Sequence, residues 1–489
     1  MDLNSVRSPR GFLTEMIGTT AHDQALGEWE SHWEKEGRAI SAAVDRAGTP
    51  WVKMFDAGGK RVDEILYAPE YWRLLKKGYA SGVIWRAFQD HSLLPSFLLI
   101  YATSFYDCGL TCPYTVSLST AVPLSKYGDA AVKERFLDKL LRRDDSVWQG
   151  ATWMTEIRGG SDLGAGVETI AERQGASWRL TGDKYFASNA GAELAVVAGR
   201  PHGAPEGVRG LALFLVPRYH GDGGLNYTIR RLKDKIATRS VPTGEVELRR
   251  SEAYLLGRAE EGIYLILEVL NISRVSNSLG SVALAQRAMA DALQYAETRI
   301  AFGKRILEHP MLKAQFEERL RELRACFALA WEAGQLLNEV WQERPPYSPR
   351  YHLFRLVAHL AKYHTAEFAV QTAKWCMEVH GGLGVLEEFG VERWLREAMI
   401  LAIWEGTAHR QMLDALEVVS RKQAHHELLK HLQRSGSSAE LGELVKEIDA
   451  LLKLPEPERE RAWEPLAARL ARQSAETLLQ RMLTRAEVR

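Results

Sequence analysis

The sequence predicts a multidomain α+β protein with a helical N-terminal domain, a central β-domain, a C-terminal helical bundle and a helical extension. Two observations lead to this class. Hydrophobic residues change their spacing twice along the chain, from helical three- and four-residue spacing to short β-type runs and back again. The length of 489 residues also exceeds what one hydrophobic core usually supports. The predicted domains cover residues 1–147, 148–258, 259–420 and 421–489.

The N-terminal domain is predicted to be mostly helical. Aromatic and aliphatic residues recur at helical spacing over residues 26–141, for example at residues 71–75. The uncharged stretch 91–106 is interrupted by Pro95 and is too short to span a membrane, so we interpret it as a buried core helix. Residues 56–60, which include two adjacent glycines, predict the turn of a small hairpin.

The central domain is predicted to consist of β-strands. Two β-type runs, residues 177–181 and 184–188, flank Gly182 and Asp183, and this arrangement predicts a β-hairpin with a two-residue turn. Further short β-type runs cover residues 194–198, 211–216 and 246–248.

After Gly262 the helical pattern returns and persists to the end of the chain. Three periodic stretches, each long enough for a bundle helix, cover residues 263–299, 311–341 and 353–380. The extension is interrupted at residues 434–438 and 455–457. It carries 13 Lys and Arg against 11 Asp and Glu, a balance typical of a solvated helical face rather than a nucleic-acid surface.

Charge and cysteine content argue against several classes of protein. Because 63 basic side chains balance 63 acidic ones, no global field favours nucleic acid or a membrane. Cys108 and Cys112 resemble half of a metal site, but no second pair follows at suitable spacing, so we interpret them as buried thiols and expect no metal. Few, irregularly spaced cysteines and a polar N-terminus without an apolar signal segment predict a cytoplasmic protein.

Two segments of the β-domain carry residues that suit a ligand. Gly159 and Gly160, followed by Ser161, are able to present backbone N–H groups to phosphate or carbonyl oxygens. The alternative for this segment is a simple turn. Residues 182–189 end with a hydroxyl and an amide, which alone indicates only a hairpin.

Two further segments belong to the helical bundle. Residues 299–304 offer a cation, an aromatic face and a glycine, and arginine suits a pyrophosphate because its guanidinium forms bidentate bonds. The alternative is a helix C-terminus with basic residues and a glycine cap. Residues 378–384 contain three glycines but resemble a dinucleotide loop only superficially, because no β-α-β unit surrounds them.

Glu405 is the candidate general base. It stands between Trp404 and Gly406 in an apolar segment, and a carboxylate in such surroundings has a raised proton affinity. The alternative is a solvated residue at a helix terminus.

In this order and spacing, the motifs make residues 55–419 similar to the acyl-CoA dehydrogenase superfamily. Residues 55–63, Cys112–Pro113 and 231–235, together with the helical extension, resemble the AidB-like, alkylation-response subgroup. The resemblance implies a central β-barrel, a C-terminal four-helix bundle and a homotetramer. It also implies FAD as the cofactor, an acyl-CoA thioester as the substrate and an electron-transfer flavoprotein as the electron acceptor.

The resemblance assigns a role to each matching residue. Glu405 would be the catalytic base, and Arg274 and Gly406 would contact the substrate. The residues that would bind FAD are Met154, Thr155, Gly160, Ser161, Phe186, Ser188, Arg299, Phe302, Gln315, Glu378, Gly381, Gly382, Thr407 and His409. The residues from Met154 to Ser188 in this list would face the flavin ring and its ribityl-phosphate chain. The residues from Arg299 to His409 would face the pyrophosphate and adenosine.

The implied reaction removes the α-proton of the thioester with Glu405 and transfers the β-hydride to flavin N5. Because that α-proton is weakly acidic, the enolate needs hydrogen bonds to the thioester oxygen, here from the Glu405 backbone N–H and an FAD hydroxyl. A carboxylate that substrate binding desolvates becomes basic enough to take the proton.

Four positions depart from the common family pattern. The sequence has Phe186 in place of Trp, Glu378 in place of Gln, His409 in place of Gln or Asn, and Asn271 in place of Asp. Two alternative functions therefore stay open beside the dehydrogenase. One is a DNA-associated protective flavoprotein with little dehydrogenase activity, and the other is a flavin oxidase of another carbon acid, such as a nitroalkane.

Overall fold

A computed structural model describes residues 3–433 and 439–487, so the predicted interruption at 434–438 lies outside the described residues. The chain divides into two compact units, each assembled from separate stretches of sequence. The first unit comprises Met1–Trp33, Phe97–Cys108 and Arg274–Arg489, and the second comprises Glu34–Ser96 and Gly109–Ser273.

The described residues contain both helices and strands in the predicted order. The α-helices are α1 Pro9–Ile17, α2 Asp23–His32, α3 Arg38–Ala47, α4 Pro69–Ala80, α5 Trp85–Gln89, α6 Leu94–Ser104, α7 Cys108–Tyr127, α8 Ala130–Leu140, α9 Leu163–Gly166, α10 Gly262–Thr298, α11 Pro310–Val340, α12 Pro349–His380, α13 Glu392–Ile403, α14 Ala408–Lys422, α15 Ala424–Gln433, α16 Ala439–Leu451 and α17 Glu456–Glu487. The strands are β1 Trp51–Phe55, β2 Arg61–Leu66, β3 Gly150–Trp153, β4 Ile170–Gln174, β5 Ser177–Ser188, β6 Leu194–Pro201, β7 Ala212–Pro217, β8 Thr228–Leu232, β9 Thr243–Leu256, β10 Ile300–Ala301 and β11 Lys304–Arg305.

The three long helices α10, α11 and α12 form where the periodicity predicts them. Both α11 and α12 begin with proline, whose fixed φ suits the first helical position. At the start of α12, Ser348 Oγ accepts a hydrogen bond from the backbone N–H of Tyr351 at 3.2 Å. In the first unit α12 packs against α11, α13, α14 and α15, and α17 packs against α11. The extension therefore belongs to the compact first unit.

The central sheet of the second unit closes on itself. Its hydrogen-bonded strand order is β3-β6-β4-β5-β9-β7, β8 pairs with β9, and β7 pairs back onto β6. The ring of β6, β4, β5, β9 and β7 thus confirms the predicted β-barrel, because such closure leaves no unpaired edge among these strands. Side chains of these strands fill its core, among them Leu180, Val197, Phe214 and Val246.

The predicted hairpin at Gly182 and Asp183 is wrong. Residues Ser177–Ser188 form one continuous strand, which pairs with β9 and contains a register shift between Leu180 and Gly182. Gly182 is needed for close approach rather than for a turn, since a Cβ there would lie 2.4 Å from Thr169 Oγ1. The turn instead lies at Gly175, which has φ +61° and joins β4 to β5.

Other local predictions are confirmed. Strands β1 and β2 form the small hairpin, and Asp56 Oδ1 accepts hydrogen bonds from the backbone N–H groups of Gly58 and Lys60, each at 2.9 Å. The stretch around Pro95 forms the helix α6, and Cys108 and Cys112 are buried. In the part of the chain that the structure describes, no helix combines the length and the apolar character that crossing a membrane requires. Helical, sheet and helical regions in this order confirm the predicted fold class.

Candidate active site

Glu405 lies in a tight turn between α13 and α14 of the first unit. Its backbone adopts the left-handed conformation with φ +58°, and Gly406 follows with φ +101°. For a residue other than glycine this conformation costs about 1–2 kcal/mol. A Cβ at Gly406 would lie 2.6 Å from Gln411 Nε2, so that position requires glycine. The turn must therefore be held in place by its surroundings.

Three side chains from three helices hold the carbonyl groups of this turn. Gln411 Nε2 on α14 donates to the carbonyl oxygens of Glu405 at 2.9 Å and Gly406 at 3.2 Å. Lys362 Nζ on α12 donates to the carbonyl oxygens of Gly406 at 2.7 Å and Ala402 at 3.0 Å. Arg274 Nε on α10 donates to the carbonyl oxygen of Glu405 at 3.4 Å. These bonds satisfy the partly buried carbonyl groups and fix the backbone that carries the Glu405 side chain.

A further layer of polar side chains orients Gln411 and Arg274. His359 Nδ1 lies 2.9 Å from Gln411 Oε1, and the guanidinium of Arg274 contacts Asp414 Oδ2 at 3.1 Å. Arg410 also donates to Asp414, from Nε to Oδ1 at 2.9 Å. Gln411 Oε1 is an acceptor only, so Nδ1 of the buried His359 carries the proton and donates to it, while Gln411 Nε2 donates to the turn.

The electrostatics of the site favour proton exchange near neutral pH. Burial raises the pKa of Glu405 to about 7, although the charges of Arg274 and Lys362 act in the opposite direction. Burial also lowers the pKa of Lys362 to about 7 and that of His359 to about 3. The pKa of the Glu405 carboxyl group is thus raised, which suits the general base that the sequence suggests.

Of the residues assigned by resemblance, the structure brings Arg274 and Gly406 to Glu405. Thr407 is the exposed N-cap residue of α14, and His409 is exposed in the first turn of the same helix. Both therefore follow the Glu405 turn directly and are accessible from solvent.

Arg299 and Phe302 belong to a small hairpin after α10. Strands β10 and β11 pair antiparallel, and the two tip residues, Phe302 and Gly303, have φ +53° and +83°. Arg299 is exposed, and 97% of the Phe302 surface is exposed. The segment is therefore a projecting hairpin, not the simple capped helix end that the sequence left open.

The remaining assigned residues of the first unit lie around the C-terminal half of α12. Gln315 Oε1 on α11 accepts a hydrogen bond from Trp375 Nε1 at 3.1 Å. Glu378 is exposed and forms an ion pair with Lys374 one turn earlier. Gly381 has φ +62°, and neither it nor Gly382 has an atom within 4 Å of the position of a Cβ. The backbone at these two glycines is open to close approach.

In the second unit, four assigned residues flank the buried Glu156 in sequence. Met154 is buried, Thr155 is partly buried, and Gly160 and Ser161 are exposed. Between them the carboxylate of Glu156 accepts hydrogen bonds from the backbone N–H groups of residues 168 and 169 at 2.7 and 3.2 Å, and it pairs with Lys184. Glu156 thereby fixes the shape of the segment between β3 and β4.

Phe186 and Ser188 lie at the end of β5. About half of the Phe186 surface is exposed. Ser188 Oγ lies 3.0 Å from Thr243 Oγ1 on the neighbouring strand. The backbone N–H of Tyr185 donates to the Thr155 carbonyl oxygen at 3.0 Å, so β5 also supports the preceding loop.

The residues that support these sites could not be predicted from the sequence. Lys362 and Gln411 hold the Glu405 turn, Asp414 holds Arg274, and Glu156 holds the loop of the β-domain. One signal was present in the sequence. Lys362 directly follows residues 356–361, which are apolar apart from His359, and a lysine buried in such surroundings requires a specific partner.

Comparison with known protein families identifies the domains. The middle domain of acyl-CoA dehydrogenases matches residues 151–251 and the C-terminal domain matches residues 260–419, together more than half of the chain. This chain belongs to the acyl-CoA dehydrogenase family. Residues 12–145 match the N-terminal domain of the adaptive response protein AidB, which confirms the AidB-like subgroup.

Individual members of the family resemble the chain over most of its length. Acyl-CoA dehydrogenase family member 11 of Caenorhabditis elegans is 30% identical over 411 residues, which is 80% of this chain but only 66% of that protein. AidB of Escherichia coli (strain K12) is 27% identical and covers 88% of this chain and 82% of that protein. The crystal structure of C. elegans ACDH-11 in complex with C11-CoA has a TM-score of 0.85 at 25% identity, covering 99% of this chain and 88% of that one.

Proposed function

We propose that this chain is an FAD-dependent acyl-CoA dehydrogenase in which Glu405 removes the α-proton of an acyl-CoA thioester. The observation that carries the proposal is the turn in which Lys362, Gln411 and Arg274 hold the backbone of Glu405, and burial raises the pKa of this carboxyl group to about 7. A base is most effective when its pKa lies near the working pH. The family, and the C11-CoA complex of the nematode relative, support a CoA thioester as the substrate class.

The chain's own residues supply the proton transfer and its orientation. The carbonyl oxygens of Glu405 and Gly406 accept from Gln411 and Lys362, and we assign the backbone N–H of Glu405 to the thioester oxygen. The carboxylate of Glu405 then receives the α-proton. Arg274 acts on this step by holding the Glu405 carbonyl group, and Asp414 fixes Arg274.

The residues assigned to FAD fit such a cofactor in each unit. In the first unit, the open backbone at Gly381 and Gly382 and the exposed guanidinium of Arg299 suit a pyrophosphate. In the second unit, the buried Met154 directly follows β3, and the Ser188 hydroxyl lies at the end of β5. Met154 would offer the flavin ring an apolar contact, and Ser188 would offer it a hydrogen bond. When bound, FAD supplies the redox step as the acceptor of the substrate hydride.

An anaerobic titration with acyl-CoA thioesters tests this function. Purified flavin-containing protein is mixed with thioesters of increasing chain length and branching, and the flavin absorbance is followed. We expect one class of thioester to bleach the flavin. If no thioester bleaches bound FAD, the proposal is wrong, and salt-sensitive DNA binding and peroxide release with nitroalkanes become the next measurements.

The Glu405→Gln variant tests the assignment of the base. The amide keeps the shape of the side chain but cannot accept the proton, so FAD should remain bound while its reduction is lost. Glu417→Gln, which changes an exposed carboxylate on α14, is the matched control and should reduce normally. Unchanged flavin reduction in Glu405→Gln would remove Glu405 as the base.

We also propose a homotetramer in the cytoplasm that passes electrons to an electron-transfer flavoprotein, since these properties accompany the family resemblance. Light scattering of the flavin-loaded protein measures the oligomer. Reoxidation of the substrate-reduced protein by an electron-transfer flavoprotein, compared with reoxidation by dissolved oxygen, distinguishes a dehydrogenase from an oxidase.

A further inference from the structure

Two histidines and an aspartate meet in the C-terminal extension. His425 and His426 lie in the first turn of α15, and Asp449 lies near the end of α16. One side-chain nitrogen of each histidine and one carboxylate oxygen of Asp449 all lie within 4.8 Å of one another. Within residues 3–433 and 439–487, this is the one such group of three His, Cys, Asp or Glu side chains.

The distances suit a small metal ion. Nε2 of His425 and Nε2 of His426 each lie 3.0 Å from the same oxygen, Asp449 Oδ1. Zinc binds imidazole nitrogen and carboxylate oxygen at roughly 2.0–2.2 Å, so two ligand atoms of a tetrahedral ion are about 3.4 Å apart. Small rotations of the side chains are therefore enough to widen the present separation of 3.0 Å to that of two zinc ligands. The two rings already lie side by side, with centroids 4.1 Å apart.

The three side chains differ in their exposure. His425 is fully buried. His426 and Asp449 are each 39% exposed, so an ion held by the three side chains would keep a position open to water. His425 Nδ1 has no hydrogen-bond partner among the described residues. Packing alone then orients that ring, and this predicts a modest affinity.

We propose that His425, His426 and Asp449 bind a divalent transition-metal ion, with zinc as the first candidate. Two imidazole nitrogens and one carboxylate oxygen suit zinc, cobalt, nickel or copper, whereas magnesium and calcium prefer oxygen ligands. The ion ties α15 to α16 within the extension and is independent of the Glu405 site. The proposed site differs from the expectation of no metal. It could not be predicted from the sequence, because two adjacent histidines and an aspartate 23 positions later match no common metal-binding spacing.

A zinc competition titration tests the site. Full-length, untagged protein with its FAD is freed of metal by a chelator, and zinc is then added in competition with a chromophoric zinc indicator. We expect one zinc ion per chain. Cobalt in place of zinc should give visible absorption bands typical of a low coordination number.

Two variants and one control locate the site. Asp449→Asn keeps an oxygen that accepts hydrogen bonds from both imidazoles but removes the charged ligand, and His426→Ala removes a partly exposed ligand. Each should weaken zinc binding more than the roughly 10–100-fold that loss of an outer-shell partner causes. His202→Ala, which changes an exposed histidine of the second unit, should bind zinc like the unaltered protein, and all three should keep their FAD. The proposal would be overturned if the unaltered protein did not bind zinc, or if Asp449→Asn and His426→Ala bound zinc as tightly as the unaltered protein.

Discussion

Lys362 donates a hydrogen bond from Nζ to the carbonyl oxygen of Gly406 at 2.7 Å, so a buried ammonium group is fixed beside the turn that carries Glu405. The pairing affects both residues. Burial lowers the pKa of Lys362 to about 7, and the lysine charge counteracts the effect of burial that raises the pKa of Glu405. Lys362 therefore stabilises both the backbone of the turn and the ionised form of the base.

Replacing Lys362 by methionine should move the pH dependence of flavin reduction. Only ionised Glu405 accepts a proton, so the rate rises with pH through the pKa of Glu405. Removal of the neighbouring cation favours the protonated acid and raises that pKa, and the acidic limb of the kcat/KM profile should move upward by about one pH unit. The measurement is the pH profile of acyl-CoA-dependent flavin reduction.

An exposed lysine provides the control for this variant. Lys446→Met removes a cation from α16, and the acidic limb should stay where it is in the unaltered protein. A slower Lys362→Met protein whose acidic limb has not moved would mean that Lys362 only supports the turn and does not tune the base.

Most of the fold could be predicted because it depends on local patterns. The periodicity of residues 263–299, 311–341 and 353–380 is sufficient for the three long helices, since each buries one apolar face along its length. The Gly182 hairpin was wrong because glycine followed by aspartate also suits a bulge. Only the packing of β5 on β9, and the approach of Thr169, distinguish the two structures.

The candidate site could be predicted only in part. Glu405 stands in a recognisable motif, whereas its supports are distant in sequence and come together only when α12 packs against α14. Lys362 and Gln411 are separated by 49 positions, and nothing in the sequence around either one indicates the other. The proposed metal site could not be predicted for the same reason, because its side chains come from two different helices.

The Gln411→Leu variant should loosen the turn. Gln411 donates to the Glu405 and Gly406 carbonyl oxygens and accepts from His359, and leucine leaves all three groups without this partner. The two carbonyl oxygens keep Arg274 and Lys362 as donors, but the buried His359 Nδ1–H is left without an acceptor. A buried group left unsatisfied costs about 1–3 kcal/mol, so the free energy of unfolding should fall by about that amount. Flavin reduction should also slow, because Glu405 loses its fixed position. Denaturant unfolding and stopped-flow reduction measure the two effects.

Gln480→Leu, at an exposed position of α17, is the matched control and should change neither quantity. If Gln411→Leu unfolds at the same denaturant concentration as the unaltered protein and reduces its flavin at the same rate, the hydrogen bonds of Gln411 do not hold the turn.

The C-terminal extension is anchored to the bundle through a buried carboxylate. Glu332 on α11 accepts hydrogen bonds from His431 on α15 and from Arg481 on α17. Although burial opposes ionisation, these partners keep the pKa of Glu332 below its usual range. A carboxyl group with a lowered pKa in the folded protein contributes stability that is present above its unfolded pKa and is lost as the pH falls through the folded value.

The Glu332→Leu variant should therefore destabilise the protein strongly at neutral pH. It leaves the Arg481 cation and the His431 ring without their shared partner, and removal of one member of a buried pair costs about 3–5 kcal/mol. Glu447→Leu, which breaks an exposed pair with Arg469, should have little effect. In the double variant Glu332→Leu, Arg481→Met, no unpaired cation remains, so part of the lost free energy of unfolding should return. Additive losses in the double variant would show that Glu332 and Arg481 do not depend on each other.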